Sequence, residues 1–202
     1  MSAALEALGV EELEVSAGAL RQGVLYDLLG RVTHHDMREV TVHEFTRRYH
    51  VDVAQAERVA ALAEQIHAEL TGQPGQASES EVLLLRFAVI LHEIGITIAH
   101  AGYHKHSAYI LSQADMPGFS RDEQARLARL VLAHRGKLAK VEGLPARSPD
   151  WTLIFALRLA ALLCLSRGDI ALPRFACKST DAGYQLALSR AWLEEHPLTE
   201  AA

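Results

Sequence analysis

Residues 82–93, VLLLRFAVILHE, decide the fold, because they form an apolar run with a single arginine inside it. At helical spacing the run is apolar nearly all round, which is typical of a helix buried on every side. Residues 151–165, WTLIFALRLAALLCL, show the same pattern, again with one internal arginine. Both runs are shorter than the roughly 20 residues that a membrane span needs. We therefore predict two buried core helices and no membrane segment.

The segments around the two runs predict further helices and a hairpin. Thr41-x-x-Glu44 and Ser120-x-x-Glu123 have the spacing of capping boxes, and Asp52 is placed to cap the helix that follows it. The predicted helices are 18–29, 41–49, 53–70, 81–93, 107–114, 120–136, 150–165 and 190–195, and the predicted strands are 13–17, 175–179 and 184–189. The expected fold class is mainly α, with a small β-hairpin near the C-terminus and a short strand and helix at the N-terminus.

Length, charge and cysteine content exclude several classes of protein. The chain has 202 residues, 50% of them hydrophobic, and a net charge of −5. A chain of this length buries roughly 70% of its unfolded surface, and its acidic balance excludes a strongly basic, sequence-specific nucleic-acid binder. The two cysteines form no CxxC motif, and the acidic N-terminus has no signal-peptide pattern. These features favour a reduced, cytoplasmic protein.

Histidine is the unusual residue. The chain has eleven, and five of them lie between His92 and His134. His92-Glu93 closes a buried helix, either as a locally satisfied pair or as part of a site. A metalloprotease HExxH motif is excluded, because Ile96 stands at the position of its second histidine. The remaining histidines are either scattered surface residues or the lining of a polar pocket suited to a metal or an anion.

Four segments carry a resemblance to a known family. They are SAGALRQGVLYDLLGR (16–31), RRYHVDVAQAERVAALAEQI (47–66), RFAVILHEIGITIAHAGYHKHSAYIL (86–111) and DMPGFSRDEQARLARLVLAHR (115–135). Together they resemble the C-terminal part of the exopolyphosphatase/guanosine pentaphosphate phosphohydrolase (Ppx/GppA) family, from about Val15 to about Leu198. The run LHEIG…H.KHSAYIL is the most specific part of the likeness.

The resemblance implies a domain organisation. In that family two actin-like domains hold the phosphohydrolase site, and a helical domain of the HD superfamily follows. Residues 1–31 then resemble the end of an actin-like domain, and residues 32–202 resemble the HD-like helical domain. The catalytic glutamate and phosphate loops of the family have no counterpart here. We therefore expect a piece of a longer protein, either natural or cut, that is not catalytic by itself.

In metal-dependent HD phosphohydrolases, which the helical domain resembles, the metal ligands follow a pattern of one His, then a His-Asp pair, then a distant Asp. On this chain the pattern falls on Gln55, on His92-Glu93 and near Ala161. An amide, a longer carboxylate and a methyl group are poor substitutes for a full ligand set. We expect no catalytic residues at these degenerate positions and no cofactor or bound metal. If a metal binds, His92 and Glu93 are its ligands; Mg or Mn remains possible for the parent enzyme.

Without a metal, the same region still concentrates basic groups. The candidate anion-binding residues are His100, His104, Lys105, His106, His134 and Arg135, with Lys137 and Lys140 beyond them. Their expected partner is polyphosphate or a phosphorylated guanosine nucleotide, held by electrostatics that do not depend on sequence. Because a free imidazole titrates near ~6.5, binding is expected to strengthen as pH falls from about 8 to about 6.

Three hypotheses follow. The first is a non-catalytic binding and assembly domain of a Ppx/GppA-related protein, with a homodimer as its expected state. The second is an autonomous metal-dependent HD-type phosphohydrolase that acts on nucleotides. The third is a purely structural module that buries a dimer surface. Gln55 and Ala161 favour the first hypothesis over the second, whereas the sequence leaves open whether the parent substrate is polyphosphate or guanosine pentaphosphate.

Overall fold

The structure, a computed structural model, describes residues 36–72, 78–168, 175–180 and 183–195. The chain divides into two compact units, Met1–Met37 and Arg38–Ala202. Of the first unit only residues 36 and 37 are described. The predicted strand 13–17, the predicted helix 18–29 and the predicted segment 1–31 lie outside the described residues.

The described part of the chain is mainly helical. It contains seven α-helices: α1 Met37–Arg48, α2 Val53–Thr71, α3 Glu79–Leu91, α4 Tyr103–Gln113, α5 Arg121–Ala133, α6 Asp150–Leu163 and α7 Arg190–Glu195. Two short 3₁₀ helices, Ile94–Thr97 and Leu138–Val141, lie in connections, and strands β1 (Ala176–Thr180) and β2 (Gly183–Ala187) form an antiparallel hairpin. The predicted fold class is confirmed for these elements, including the hairpin. No helix in the described ranges is long and apolar enough to cross a membrane.

The two apolar runs form the centre of the domain, as predicted. Helix α3 packs against α2, α5 and α6, while α6 packs against α2, α3 and α5. Leu85 and Leu157 are fully buried, as are most of the apolar side chains around them. Burial of a Leu-sized side chain is worth about 1.5–3 kcal/mol, so these two helices supply much of the core. Between Leu84 and Val89 of α3, only Arg86 is exposed.

Two of the predicted caps are confirmed and one is wrong. Asp52 Oδ1 accepts a hydrogen bond from the backbone N of Gln55 at 3.0 Å, and Ser120 and Glu123 form a reciprocal capping box at the start of α5. Thr41 does not begin a helix, because α1 starts at Met37. The Thr41 hydroxyl donates instead to the carbonyl of Pro117 at 2.6 Å. A tertiary contact therefore uses the side chain that the local pattern assigned to a cap.

The start of α4 also differs from the prediction. The helix begins at Tyr103, four residues before the predicted start at Ser107. Gly102, with a φ of 70°, precedes it in the left-handed region that glycine tolerates. His104, Lys105 and His106 therefore lie on a helix rather than in a loop, and this fixes which of their side chains share a face.

The connection between α3 and α4 is tightly packed. The backbone N of Gly95 donates to Ser107 Oγ, and Ser107 Oγ donates to the carbonyl of His92, both at 2.8 Å. A Cβ on Gly95 would overlap the backbone O of Tyr103 and the backbone N of Ser107. Glycine is required here by close approach of two backbones, which sets the position of α4 against the end of α3.

Candidate anion-binding site

His92 and His134 are buried at the ends of α3 and α5 for the same local reason. Each ring turns back so that Nδ1 donates to the carbonyl three residues earlier, to Val89 at 2.5 Å and to Val131 at 2.6 Å. A carbonyl only accepts, so Nδ1 carries the proton and Nε2 holds the lone pair. The two rings lie perpendicular with their centroids 5.1 Å apart. The helix ends therefore place two oriented imidazoles side by side.

Tyr103 contacts both His134 and Arg135. Its phenol oxygen lies 3.3 Å from Nε2 of His134, and the lone pair there makes the phenol the donor. The Arg135 guanidinium lies over the Tyr103 ring, 5.5 Å from its centroid, in a cation–π arrangement. Burial lowers the pKa of His92 and of His134, so both imidazoles are neutral at physiological pH. Neutral hydrogen-bonding groups thus form the inner part of the site.

His104 lies between this inner part and a cluster of cations. His104 is only 9% exposed. Among the described residues, its ring nitrogen Nδ1 is buried and has no hydrogen-bond partner. Burial, followed by the charges of Lys140, Lys105, Arg135 and Arg158, lowers the pKa of His104 to about 4. Four positive side chains therefore act on one uncharged ring.

These four side chains, Lys105, Arg135, Lys140 and Arg158, form what we call the open cluster. Arg158 Nη1 donates to the carbonyls of Ala133 at 2.6 Å and Gly136 at 2.9 Å, and Lys140 Nζ donates to the carbonyl of Arg135. In the described part of the chain, none of the four forms an ion pair with a carboxylate. Burial, then Arg158 and Lys105, lowers the pKa of Lys140 to about 8.

A cleft of about 660 Å³ opens beside the open cluster. Tyr103, His104, His134, Arg135, Gly136 and Arg158 supply its polar side, and Phe155, Leu159, Ala161, Leu162 and Leu165 supply its apolar side. Its volume lies within the range of about 300–1,000 Å³ that is usual for small-molecule sites. The cleft therefore combines positive groups with a hydrophobic surface from α6 and the turn after it.

The structure divides the six predicted anion-binding residues. His104, Lys105, His134 and Arg135 lie at or next to the open cluster. His100 is exposed, with its ring centroid 6.1 Å from that of Tyr103. His106 lies on the opposite side of α4 from His104, since two helical positions differ by about 200°, and its Cβ faces Gly95.

The six residues predicted to bind an anion do not include Arg158 or Lys140, which the structure places in the open cluster. Arg158 belongs to a helix whose other residues are almost entirely apolar. An arginine inside such a run is a usable signal, because a buried guanidinium needs a partner or a role. Lys140 carried no comparable signal, since its position in a basic loop is also typical of a solvated surface.

Two of the degenerate metal positions, Gln55 and Glu93, lie beside Asp52, Arg58 and Arg167, and we call these five residues the closed cluster. The third position, Ala161, lines the cleft beside the open cluster instead. Glu93 receives two hydrogen bonds of 2.7 Å from Arg167 Nη2, and Arg167 Nη1 lies 3.1 Å from Asp52 Oδ2. Gln55 Oε1 accepts from Arg58 at 3.1 and 3.2 Å, while Gln55 Nε2 donates 2.8 Å to the carbonyl of Cys164. Arg167 adopts a left-handed φ of 55°, which is uncommon for a residue with a side chain.

The residues of the closed cluster do not fit a divalent metal ion. The oxygens of Gln55 and Glu93 already accept from guanidinium groups, and Ala161 has no donor atom. Within the described ranges, no group of three or more His, Cys, Asp or Glu side chains is placed to hold a metal. Positive side chains therefore hold the oxygens that metal binding would require. The expectation of no catalytic metal remains a prediction for experiment.

Comparisons with known proteins agree on one family. The profile of the family described as Ppx/GppA phosphatase, domain III, matches residues 37–202. A protein of Pseudoalteromonas translucida (strain TAC 125) named guanosine-5'-triphosphate,3'-diphosphate pyrophosphatase is 39% identical over 199 residues, covering 97% of this chain and 40% of the relative. A protein of the same name from Aeromonas hydrophila is 34% identical over 200 residues, with the same coverage of both chains. The chain thus spans about two fifths of the length of these relatives.

Proposed function

The chain belongs to the Ppx/GppA phosphatase family, in which it corresponds to domain III, and on this premise we propose that it is a non-catalytic domain that binds phosphate-containing anions for its parent enzyme. The printed name of the relatives describes a pyrophosphatase of a phosphorylated guanosine. The anion we propose is therefore a phosphorylated guanosine nucleotide or polyphosphate.

The open cluster is the observation that carries this proposal. Lys105, Arg135, Lys140 and Arg158 converge around an uncharged His104 on a chain of net charge −5, and none pairs with a carboxylate among the described residues. Positive groups gathered without negative partners repel one another, so their arrangement is best explained by an external anion that neutralises them. Phosphate groups match the bidentate geometry of a guanidinium and the point charge of a lysine.

We propose that hydrolysis is carried out by other parts of the parent enzyme. The oxygens at the degenerate HD-type positions, Gln55 and Glu93, accept hydrogen bonds from Arg58 and Arg167, which argues against the autonomous HD-type phosphohydrolase.

We also propose that residues 32–202 form an HD-like domain and that residues 1–31 are the remnant of an actin-like domain. We further propose that the protein is cytoplasmic and forms a homodimer. Exposed Ile98, Tyr109 and Leu138 are available for contacts between copies, and light scattering at high concentration tests the dimer.

Calorimetric titration of inorganic tripolyphosphate into the chain tests the binding proposal. We expect binding that weakens as salt is raised, because each neutralised phosphate releases a counterion. A combined Lys105→Ala and Arg135→Ala substitution should abolish most of the affinity, whereas Arg190→Ala, at an exposed side chain of α7, should leave it unchanged. Salt-independent binding, or full affinity in the double variant, would contradict the proposal. Divalent-dependent release of phosphate by this chain, lost in His92→Ala, would favour the phosphohydrolase instead.

A further inference from the structure

Lys140 lines a second groove, of about 600 Å³, which lies between α4, α5 and the loop that follows α5. The side chain is half-buried, and its amine donates to the carbonyl of Arg135 at the end of α5. Lys105 lines the same groove, and Val141 and Leu144 add apolar surface beside it. The amine is therefore held in place at the wall of a groove that is large enough for a small molecule.

The groups that face this amine are positive or neutral. They come from three helices or their ends: His104 and Lys105 from α4, His134 and Arg135 from the end of α5, and Arg158 from α6. Among the described residues, no carboxylate pairs with Lys140. Burial, then Arg158 and Lys105, lowers the pKa of Lys140 to about 8. About half of its amines are then uncharged at pH 8, against less than about 1% for a free lysine.

We propose that Lys140 is acylated by acyl phosphates, whose phosphate group is held by the neighbouring cations while the Lys140 amine attacks the acyl carbon. The inference shares with the proposed function the binding of a phosphate group at the open cluster, and it adds a covalent modification. A lysine that is desolvated beside other cations is an activated nucleophile. Because Nζ donates a proton to a carbonyl, its lone pair is left free for the attack.

The reaction balances without a further reagent. The Nζ lone pair forms a C–N bond with the acyl carbon, and the C–O bond to the phosphate group breaks. Inorganic phosphate leaves with that electron pair, and the amine proton passes to solvent. The product is an uncharged amide, so acylation removes one of the four charges of the open cluster.

Treatment of the chain with acetyl phosphate at pH 8, followed by peptide mass spectrometry, tests the inference. Lys140 should be acetylated about tenfold faster than Lys137, the exposed lysine that serves as the control within the same sample. The uncharged fraction alone favours Lys140 by about a hundredfold over a free lysine. The lower nucleophilicity of a weaker base, known for thiols, offsets part of this gain. In guanidinium-unfolded chain the preference should vanish.

A variant and a second reagent separate recognition of the phosphate group from simple reactivity of the amine. Lys105→Gln should slow acetylation of Lys140 by acetyl phosphate by about threefold, the scale of one weak charge contact, whereas Lys178→Gln on β1 should not change it. Phenyl acetate, which carries no phosphate group, should show a preference for Lys140 over Lys137 that is about threefold smaller.

Two results would overturn the inference: equal acetylation of Lys140 and Lys137 by acetyl phosphate, or equal preferences for Lys140 with the two reagents. A preference that persists in the unfolded chain would do the same, because local sequence would then explain it. Tripolyphosphate titration distinguishes this failure from failure of the proposed function. If tripolyphosphate binds but Lys140 is not preferred, the proposed function stands and the acylation site is wrong. If tripolyphosphate does not bind but acetyl phosphate prefers Lys140, the reverse holds.

Discussion

The open and closed clusters place similar side chains in opposite electrostatic situations. In the closed cluster Arg167 is held by Glu93 at 2.7 Å and by Asp52 at 3.1 Å, so its charge is neutralised within the protein. In the open cluster Arg135 and Arg158 interact with a phenol ring and with backbone carbonyls, which leave their charges uncompensated. An external anion can therefore bind where no carboxylate neutralises the positive side chains, and the number of arginines matters less.

The largest expected effect comes from the neutral imidazoles between the two clusters. The folded state lowers the pKa of His92 and of His134, chiefly through burial, so below the unfolded value near ~6.5 the unfolded chain binds more protons. Stability should be fully present above that pH and fall as pH drops, by roughly 2 kcal/mol between pH 7 and pH 5.5. Urea unfolding at a series of pH values measures this loss.

Exposed His100 provides the control for this prediction. His100→Gln should leave the pH dependence unchanged, because His100 is exposed and the expected effect comes from burial of the other two rings. A free energy of unfolding that stays flat from pH 7 to pH 5.5 would show that the buried imidazoles are not held neutral.

Removal of Arg158 should break the open cluster in two ways. Arg158→Gln deprives the carbonyls of Ala133 and Gly136 of their donor, which should lower the free energy of unfolding by about 1–2 kcal/mol. It should also reduce tripolyphosphate affinity by about tenfold, the scale of a charge-assisted contact. Arg86→Gln is the matched control, since Arg86 is the exposed arginine inside the other core helix. Unchanged affinity in Arg158→Gln would remove Arg158 from the site.

A substitution in the closed cluster should have a smaller and different effect. Glu93→Gln removes the charge that neutralises Arg167 and should lower the free energy of unfolding by about 1 kcal/mol, as expected for a partly exposed ion pair. The released guanidinium should raise tripolyphosphate affinity by about twofold. Glu194→Gln, which breaks the exposed pair with Arg190, should change neither quantity. Weaker tripolyphosphate binding in Glu93→Gln would contradict the contrast between the clusters.

The smallest expected effect concerns Lys140. With its pKa lowered to about 8 by burial, Lys140 is charged at pH 7 and largely neutral at pH 9. Tripolyphosphate affinity should fall by about threefold over that range, the scale of one weak charge contact. Lys140→Gln should flatten the dependence, whereas Lys178→Gln on β1 should preserve it. An unchanged slope in Lys140→Gln would assign the titration to another group.

The structure changes which groups are expected to make anion binding depend on pH. The sequence predicts that imidazoles gain charge between about pH 8 and pH 6, but the pKa of His104 is lowered to about 4, mainly by burial. The pKa of His134 is also lowered well below its usual value by burial. Neither ring becomes cationic in that range in the unliganded protein. Composition indicates how many imidazoles are present, and only the fold determines which of them are desolvated.

Local patterns predicted most of the fold and a part of the site. Asp52 and Ser120 were assigned correctly because a cap depends on residues three or four positions away. Thr41 was assigned wrongly because its hydroxyl bonds to Pro117, far along the chain. Arg158 and Arg167 were missed for the same reason: their partners are distant in sequence. The candidate site depends on such long-range contacts, so its composition could be anticipated better than its geometry.

The packing of Gly95 has a practical consequence for protein engineering. Residues 92–102, with glycines at 95 and 102, connect α3 to α4. Here the Gly95 amide, the Ser107 hydroxyl and the His92 carbonyl are bonded in series, and the backbones leave no room for a Cβ. A reporter fused at this connection, or new termini opened within it, would separate α3 from α4. Labels intended to follow ligand binding belong elsewhere on the chain.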